Sequence, residues 1–391
     1  MGHDDPMSLI ETYTRGRVMH DADSHIMETH GWLEPYADPG IRDKIRPLYL
    51  GGAGAIAREA VDEATQRAAD EARIAALEAD VMRAKGWSAL GATDKTERSR
   101  ALDRLGFDSQ LVFATFAATQ FVSDDPELLY GGTRALNRAM TDFCADDRRL
   151  LPVGFVPLRD PELAANEVEY ALELGVAAIQ VPSTPGRDFS PTHPDYDGVW
   201  ARLQEADRPF VLHIGGGGRG LHRNYHENGM PKPSDFLGGG ENVRAKDYMV
   251  IGQSPENFLS CLILDGLFDR YPRLRGGSIE QGALWIVPWL YRLDLALGFA
   301  KTEPILRSLS MKPSEFVHGR LWFTPFPDEP VGWMIEQCGD DVLLFSSDYP
   351  HPEGTRDPVG RFERTMEGVG TNARDRFYQH NFEAMMGSGL G

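Results

Sequence analysis

The chain has 391 residues, with 59 acidic side chains against 40 lysines and arginines and a formal net charge of −19. An excess of that size repels phosphate backbones and anionic membranes, and no basic stripe reverses it locally, so neither nucleic acid nor membrane is an expected partner. No apolar stretch approaches a membrane span, and the start, Met1-Gly2-His3-Asp4-Asp5, lacks the cationic-then-apolar order of a secretory signal.

In chain order, apolar β-rich runs alternate with helical periods. The expected strands are Arg17–His25, Ser109–Phe116, Leu151–Leu158, Ala177–Pro182, Pro209–Ile214, Leu274–Gln281, Leu321–Phe326 and Val342–Asp348. The expected helices between them are Thr96–Leu105, Glu127–Asp146, Pro161–Leu174, Tyr196–Glu205, Pro255–Arg270, Ala283–Phe299 and Pro330–Cys338. A segment Phe362–Met366 and a helical tail to Met386 follow the last strand. Such alternation predicts parallel βαβ units. Eight strands predict an α/β fold of the (β/α)8 TIM-barrel type, as a single domain over 1–391. No glycine-rich dinucleotide fingerprint follows the first strand, which counts against a Rossmann sheet. Cys144, Cys261 and Cys338 are far apart and odd in number, which suits unpaired thiols in a reducing cytoplasm.

Two insertions interrupt the alternation. A helical insertion spans 55–90, where Ala55 to Lys85 carries Ile74, Leu77 and Val81 at helical spacing in a charged background. It reads as one long, largely solvated helix; a lid or a dimer arm is the alternative. The second is a lid-like loop, 215–254, containing Gly215–Gly218 and Gly238–Gly240. A loop that long without periodicity is usually functional or mobile. No Lys-Ser/Thr follows the glycines, so a lid is favoured over a phosphate cradle.

Four fragments carry the chemistry: Asp21-Ala22-Asp23-Ser24-His25, Val211-Leu212-His213, Ser278-Ile279-Glu280-Gln281-Gly282 and Ser346-Ser347-Asp348-Tyr349-Pro350. Each closes an expected strand, and a parallel barrel presents the C-terminal ends of its strands to its catalytic face. Asp23 and His25 are two apart on a strand and share a face. Singly, D-x-H is common by chance and is a turn residue more often than a ligand, and a histidine ending an apolar strand is often a satisfied core group. Asp348 is stronger, because a carboxylate ending an apolar run is costly to bury unless paired or metal-bound. Together, Asp23, His25, His213 and Asp348 form a candidate divalent-metal site, zinc first, with manganese or iron as alternatives.

These pieces, D-A-D-S-H-I-M-E at 21–28, Pro209-Phe210-Val211-Leu212-His213 and Ser346-Ser347-Asp348-Tyr349-Pro350-His351-Pro352, resemble the amidohydrolase-related metal-dependent TIM-barrel enzymes grouped with aminocarboxymuconate-semialdehyde decarboxylase and the resorcylate decarboxylases. The resemblance runs from about Val18 to Glu383. It implies that His25 takes the second place of a first-strand metal pair, that His213 is the fifth-strand ligand, and that Asp348 both binds metal and handles protons. It also implies a homo-oligomer, a dimer. One departure is plain: Glu280 stands where these decarboxylases carry a histidine. Glu280 is either an acid/base or metal ligand, or the ion-pair partner of Arg275 or Arg292 at the rim.

Glu28, Trp32, Trp285 and His351 are candidate substrate contacts, each weighed against packing or a surface position. His193, His222 and His226 lie on expected loops, and His318 precedes the seventh strand in a structural position. The leading expectation is a hydrolase in which Asp348, Glu280 and His213 act on a small carbonyl substrate beside a metal-activated water. The alternative is a nonoxidative decarboxylase of an aromatic or unsaturated acid. A metal-dependent oxygenase and a non-catalytic metal-binding protein rank below both.

Overall fold

The computed structural model describes residues 12–48, 54–67, 70–184, 186, 188–215, 221–231 and 245–391. Seven parallel strands hydrogen-bond in sequence order: β1 (His20–Ile26), β2 (Ser109–Ala114), β3 (Leu150–Phe155), β4 (Ala178–Gln180), β5 (Phe210–His213), β6 (Gly276–Ile279) and β7 (Leu321–Phe323). Each overlaps an expected strand, and helices stand between successive strands, as parallel connections require. Local signals set the helix ends. The side chains of Asp94, Asp125 and Asp160 accept from the backbone N–H of Glu97, Glu127 and Leu163. Gly175, at φ 90°, closes the helix Pro161–Leu174 in the left-handed conformation.

The eighth expected strand, Val342–Asp348, is not a regular strand. It makes two isolated parallel bridges, Leu343 with Phe323 of β7 and Tyr349 with Ser24 of β1. Hydrogen bonds run from Phe323 N to Val342 O (2.9 Å), Ala22 N to Phe345 O (3.1 Å) and Asp348 N to Asp23 O (2.9 Å). The segment therefore touches both β7 and β1. Side chains interrupt its ladder: the Asp21 carboxylate accepts from Ser347 N (2.7 Å) and Ser347 Oγ (2.6 Å). Asp348 then takes φ 50°, which no strand continues through. The observed architecture is a seven-stranded parallel α/β sheet rather than eight regular strands.

Two apolar clusters hold it together. The larger lies between sheet and helices. The smaller gathers Ala22, Leu111, Val153, Val211, Ile279, Trp322 and Leu344 with Phe382, Met385 and Met386 of the C-terminal helix Asn381–Met386. Residues from all seven strands meet there, β4 contributing Ala178, with Leu344 beside them. Truncating such a fully buried leucine costs about 2–5 kcal/mol, so this cluster fixes the strands that carry the site.

The 55–90 insertion is two helices, Gly54–Arg67 and Glu71–Glu78, not one. From 58 to 85 its described residues are mostly exposed, as expected, with a stripe of Val61, Ile74, Val81 and Met82 joining the main core. Within the expected lid, Gly216–Gly218 and Gly238–Gly240 lie outside the described residues. The described part carries a 3-10 turn, Arg223–His226, and a helix, Ala245–Tyr248, joined by His226 Nε2 to Asp247 Oδ1 at 3.3 Å. Cys144 and Cys338 are buried and Cys261 is exposed, all as free thiols. Among the described residues no helix is long and apolar enough to cross a membrane.

Candidate metal centre

A β-bulge interrupts the pairing of β1 with β2 between Asp21 and Ser24. Bulges re-aim side chains near sites, and Asp23 lies in this one. Asp23 Oδ1 is 3.2 Å from His25 Nε2 and 3.4 Å from His213 Nε2. Glu280 Oε2 is 3.3 Å from His213 Nε2 and 3.9 Å from His25 Nε2. Asp348 Oδ1 is 3.6 Å from His25 Nε2 and 2.9 Å from His351 Nδ1. Two overlapping donor groups result, Asp23, His25, His213 and Glu280, and His25, Glu280, Asp348 and His351, each with its donor atoms within 4.8 Å of one another. The four fragments converge, and Glu280 joins them.

The rim alternative for Glu280 is excluded by its proposed partners. Arg275 pairs with Asp207 at 2.7 Å, and Arg292 pairs with Glu256. Glu280 takes φ 55° just past β6, with its N–H donating to Thr324 Oγ1 at 2.8 Å. Behind that turn, Glu329 accepts from Ala283 N (2.8 Å) and Phe326 N (3.2 Å), tying the exits of β6 and β7 together.

Backbone and hydroxyl partners orient the imidazoles. His213 Nδ1 lies 3.0 Å from Ile214 O. A carbonyl only accepts, so Nδ1 carries the proton and Nε2 turns its lone pair inward. Thr115 Oγ1 donates to Ile26 O at 2.8 Å. Its lone pairs then face His351 Nε2 at 3.0 Å and His25 Nδ1 at 3.4 Å. The two rings stack with centroids 3.9 Å apart. Burial, with the charge of His351 pushing the same way, lowers the pKa of His25 to about 3 and keeps it neutral. Burial pushes Asp348 up, with His351 opposing.

The donor set fits a divalent cation. Asp23, Glu280 and Asp348 are at most 7% exposed. Asp23 Oδ2, His25 Nε2 and Asp348 Oδ1 have no hydrogen-bond partner of proper alignment among the described residues. Removing ions from water costs several kcal/mol each, so three such carboxylates without a cation would consume much of a domain's roughly 5–15 kcal/mol stability. Nitrogen and oxygen donors without sulfur suit zinc, manganese or iron.

An open cavity adjoins the cluster, lined by Asp23, Glu280, Asp348, Thr324, Phe326 and Glu353 among others. The other expected contacts are placed differently. His351 is fully buried against His25 rather than on a surface loop. The Glu28 carboxylate is taken by three backbone amides, Thr115 N (2.9 Å), Phe116 N (2.9 Å) and Ala117 N (3.1 Å). These open the 3-10 turn Ala117–Gln120, whose first N–H groups lack internal partners. Trp32 packs beside Tyr36. Trp285 donates to Gly282 O at 2.9 Å and packs on Trp289 and Phe323. Neither tryptophan lines the cavity. His193 pairs with Asp195, and His318 with Asp341.

Sequence reasoning missed three residues here. Asp21 is fully buried and binds Gln110 Nε2 (2.7 Å) besides Ser347, fixing the segment that bears Asp348. Burial pushes its pKa up to about 7. Thr115 immediately follows β2, and that strand-end position was its one available signal. Lys85 lies over the Tyr349 ring, its ammonium buried without a hydrogen-bond partner. Burial lowers its pKa to about 8, while Asp348 and Asp21 oppose.

A parallel sheet that gathers histidines and carboxylates at the C-terminal ends of its strands is the arrangement of metal-dependent α/β enzymes. Residues 21–381 match the family described as Amidohydrolase, and the chain belongs to that family. It is 28% identical over 271 residues to a gamma-resorcylate decarboxylase of Polaromonas sp. (strain JS666), covering 65% of this chain and 76% of that protein. A gamma-resorcylate decarboxylase of Rhizobium sp. (strain MTP-10005) is 23% identical over 265 residues, with the same shares of 65% and 76%. In fold the chain is similar to an amidohydrolase of Mycobacterium avium subsp. paratuberculosis K-10, with a TM-score of 0.70 and 20% identity over 96% of this chain and 100% of that one. It is also similar to a 5-carboxyvanillate decarboxylase of Novosphingobium aromaticivorans, solved with manganese and 4-hydroxy-3-methoxy-5-nitrobenzoic acid, with a TM-score of 0.63 and 20% identity over 97% and 98%.

Proposed function

We propose that the chain is a metal-dependent nonoxidative decarboxylase of a hydroxylated aromatic acid, with the segment 342–349 serving as the eighth stave of a closed barrel. The observation that carries this reading is its likeness to gamma-resorcylate decarboxylases over about three quarters of their length. That span favours the decarboxylase alternative over the hydrolase expected first. Glu280 no longer weighs against it, because its carboxylate sits within the donor cluster instead of facing the substrate as a loose charge. Lys85 adds a buried ammonium whose charge acts on Asp348.

Asp23, His25, His213, Glu280 and Asp348 would hold the metal. When bound, it would polarise the carboxylate and neighbouring hydroxyl oxygens of the substrate. We favour manganese over the zinc expected first, since the set is rich in carboxylates and the 5-carboxyvanillate decarboxylase carries manganese. The chain's own residues supply the proton. Asp348, whose Oδ1 lies 2.9 Å from His351 Nδ1, would deliver it to the ring carbon that bears the carboxylate. Protonation of that carbon forms the C–H bond, the C–C bond breaks, and carbon dioxide leaves with the carboxyl carbon. Asp348 would then be reprotonated from solvent in the cavity that it lines. Thr115 keeps His351 and His25 in register during this exchange.

The test is incubation of manganese-loaded and zinc-loaded protein with 2,6-dihydroxybenzoate and related hydroxybenzoates, following carbon dioxide and the phenol by chromatography. Esters, lactones and amides run in parallel. Release of carbon dioxide with a stoichiometric phenol is expected. Hydrolysis of an ester or amide with no carbon dioxide from any acid would restore the hydrolase reading.

A further inference from the structure

We infer that Phe326 is the platform on which the substrate's ring packs, so that the site selects planar aromatic acids over saturated ones of the same size. The inference rests on the reading of this cavity as the substrate site and names the side chain that reads the ring there. The aromatic contacts expected from sequence, Trp32 and Trp285, do not line the cavity, whereas Phe326 does. It is the one aromatic ring among the described residues that line it. Phe326 stands just past the exit of β7, between Pro325 and Pro327, and all three lie on the cavity wall.

The ring is held in place by the surrounding chain. Phe326 N donates to Glu329 Oε2 at 3.2 Å, and Phe326 O accepts from Glu329 N at 2.9 Å. The ring lies close against Gly282, where a Cβ would stand 2.9 Å from both Cδ2 and Cε2. Gly282 takes φ 65° as well, so glycine there meets two demands, a left-handed turn after Glu280 and room for the ring. Tyr248 packs on Phe326 with centroids 5.7 Å apart and planes inclined at 44°. Tyr248 closes the helix Ala245–Tyr248, so the 215–254 insertion supplies part of the ring's backing. Phe326 itself is only half-buried. A side chain so braced loses little rotamer freedom when a ligand covers it.

One cavity therefore joins two kinds of surface. The carboxylates of Asp23, Glu280 and Asp348 belong to the donor cluster, and the Pro325–Pro327 run is apolar. No cationic side chain is among the described residues that line it. An acid whose carboxylate reaches the metal thus has an apolar wall, and a single ring, for the rest of its contacts. Two aromatic rings in offset-stacked or edge-to-face contact gain about 2–12-fold in affinity beyond the area that they bury. A cyclohexane ring buries a comparable area but has no π-system, so it forgoes that gain.

The experiment is isothermal titration of the manganese-loaded full chain with benzoate and with cyclohexanecarboxylate. It uses the parent, Phe326→Leu, Phe326→Tyr and a control, Phe299→Leu, at an exposed ring that does not line the cavity. The expected result is tighter binding of benzoate by about 2–12-fold in the parent, the control and Phe326→Tyr, with near parity in Phe326→Leu. Equal affinities in the parent, no binding of either acid, or a preference that survives in Phe326→Leu overturns the inference. If Phe326→Leu loses the parental far-ultraviolet dichroism, Phe326→Ile gives the same reading. Because the titration needs no turnover, the two readings fail separately. A benzoate preference lost in Phe326→Leu, without carbon dioxide from any acid, keeps the platform and removes the decarboxylase. Carbon dioxide release with no aromatic preference does the reverse.

Discussion

Glu280 Oε2 and His213 Nε2 face each other at 3.3 Å, joining the exits of β6 and β5 across one donor cluster. The pair spans 67 positions of sequence, and each member is fixed from behind: Glu280 by the hydrogen bond of its N–H to Thr324, His213 by Ile214 O. A carboxylate so placed belongs to the donor cluster, not to the rim.

Glu280→Gln tests this directly, since it keeps shape while deleting charge and basicity. Turnover should fall on the order of 10²–10⁴-fold, the usual cost of removing a general acid or base, with folding little changed. Metal content should fall too. Near-parental activity with full metal would return Glu280 to a packing role.

His213→Ala should strip most of the bound metal, because its inward Nε2 is one of two imidazole nitrogens in the donor group with Asp23 and Glu280. Elemental analysis of purified protein beside the parent measures this. Full metal content in the variant would remove His213 from the ligand set.

Thr115→Val replaces a hydroxyl that faces two imidazoles with a methyl of similar size. Loss of an outer hydrogen bond to a ligand typically costs about 10–100-fold in metal affinity or activity. We expect that loss in kcat, with the denaturation midpoint nearly unchanged. A variant with parental kcat would show that His25 and His351 hold their orientation by stacking alone.

Glu28→Ala should act on stability instead. Three amides lose a buried charged acceptor, which should cost about 2–4 kcal/mol by urea denaturation. A cost below about 1 kcal/mol would mean that water replaces the carboxylate.

Glu28 also shows where sequence reading stops. Its place one helical turn past His25 suggested the pocket, yet the amides that claim it begin at Thr115, which only the fold brings near. The alternation of apolar runs and helical periods was legible because every strand is buried on both faces, and seven of eight expected strands appear. Asp23, His25, His213 and Asp348 were legible because ionisable groups at strand ends are costly to bury without a purpose. Asp21 was not, since its partners Gln110 and Ser347 are remote in sequence. Nor could the tryptophans be placed: apolar rings serve a core or a substrate equally well, and Trp285 stands half-buried against the core beside Trp289.

A pH test lies outside the site. His318 Nδ1 is 3.0 Å from Asp341, and this hydrogen bond raises the pKa of His318 above its ordinary 6.5. For Asp341, the bond and the charge of His318 outweigh burial and hold its carboxyl below 3.8. The histidine's contribution is therefore complete below about pH 6.5 and fades as pH rises through the raised value. That of the aspartate is complete above about pH 4 and fades as pH falls through the lowered one. Both groups are a third or more exposed, so the pair is worth about 0–1 kcal/mol. His318→Gln should lower Tm most between about pH 4 and 6.5 and converge on the parent by about pH 9. A Tm difference that widens above neutrality would reverse the assigned sign.

The left-handed backbone at Glu280 and Asp348, with φ 55° and 50°, has a bearing on how such enzymes diversify. Among residues with a side chain, aspartate, asparagine and histidine enter that conformation most readily, and β-branched ones are nearly barred. The conformational cost, about 1–3 kcal/mol per position, belongs to the turn whichever side chain stands there. Glutamate at position 280 and the histidine that the family resemblance led one to expect there can thus share one chain path, although they differ in charge and basicity. The turn behaves as a socket, and a lineage can try new acids and bases in it one codon at a time.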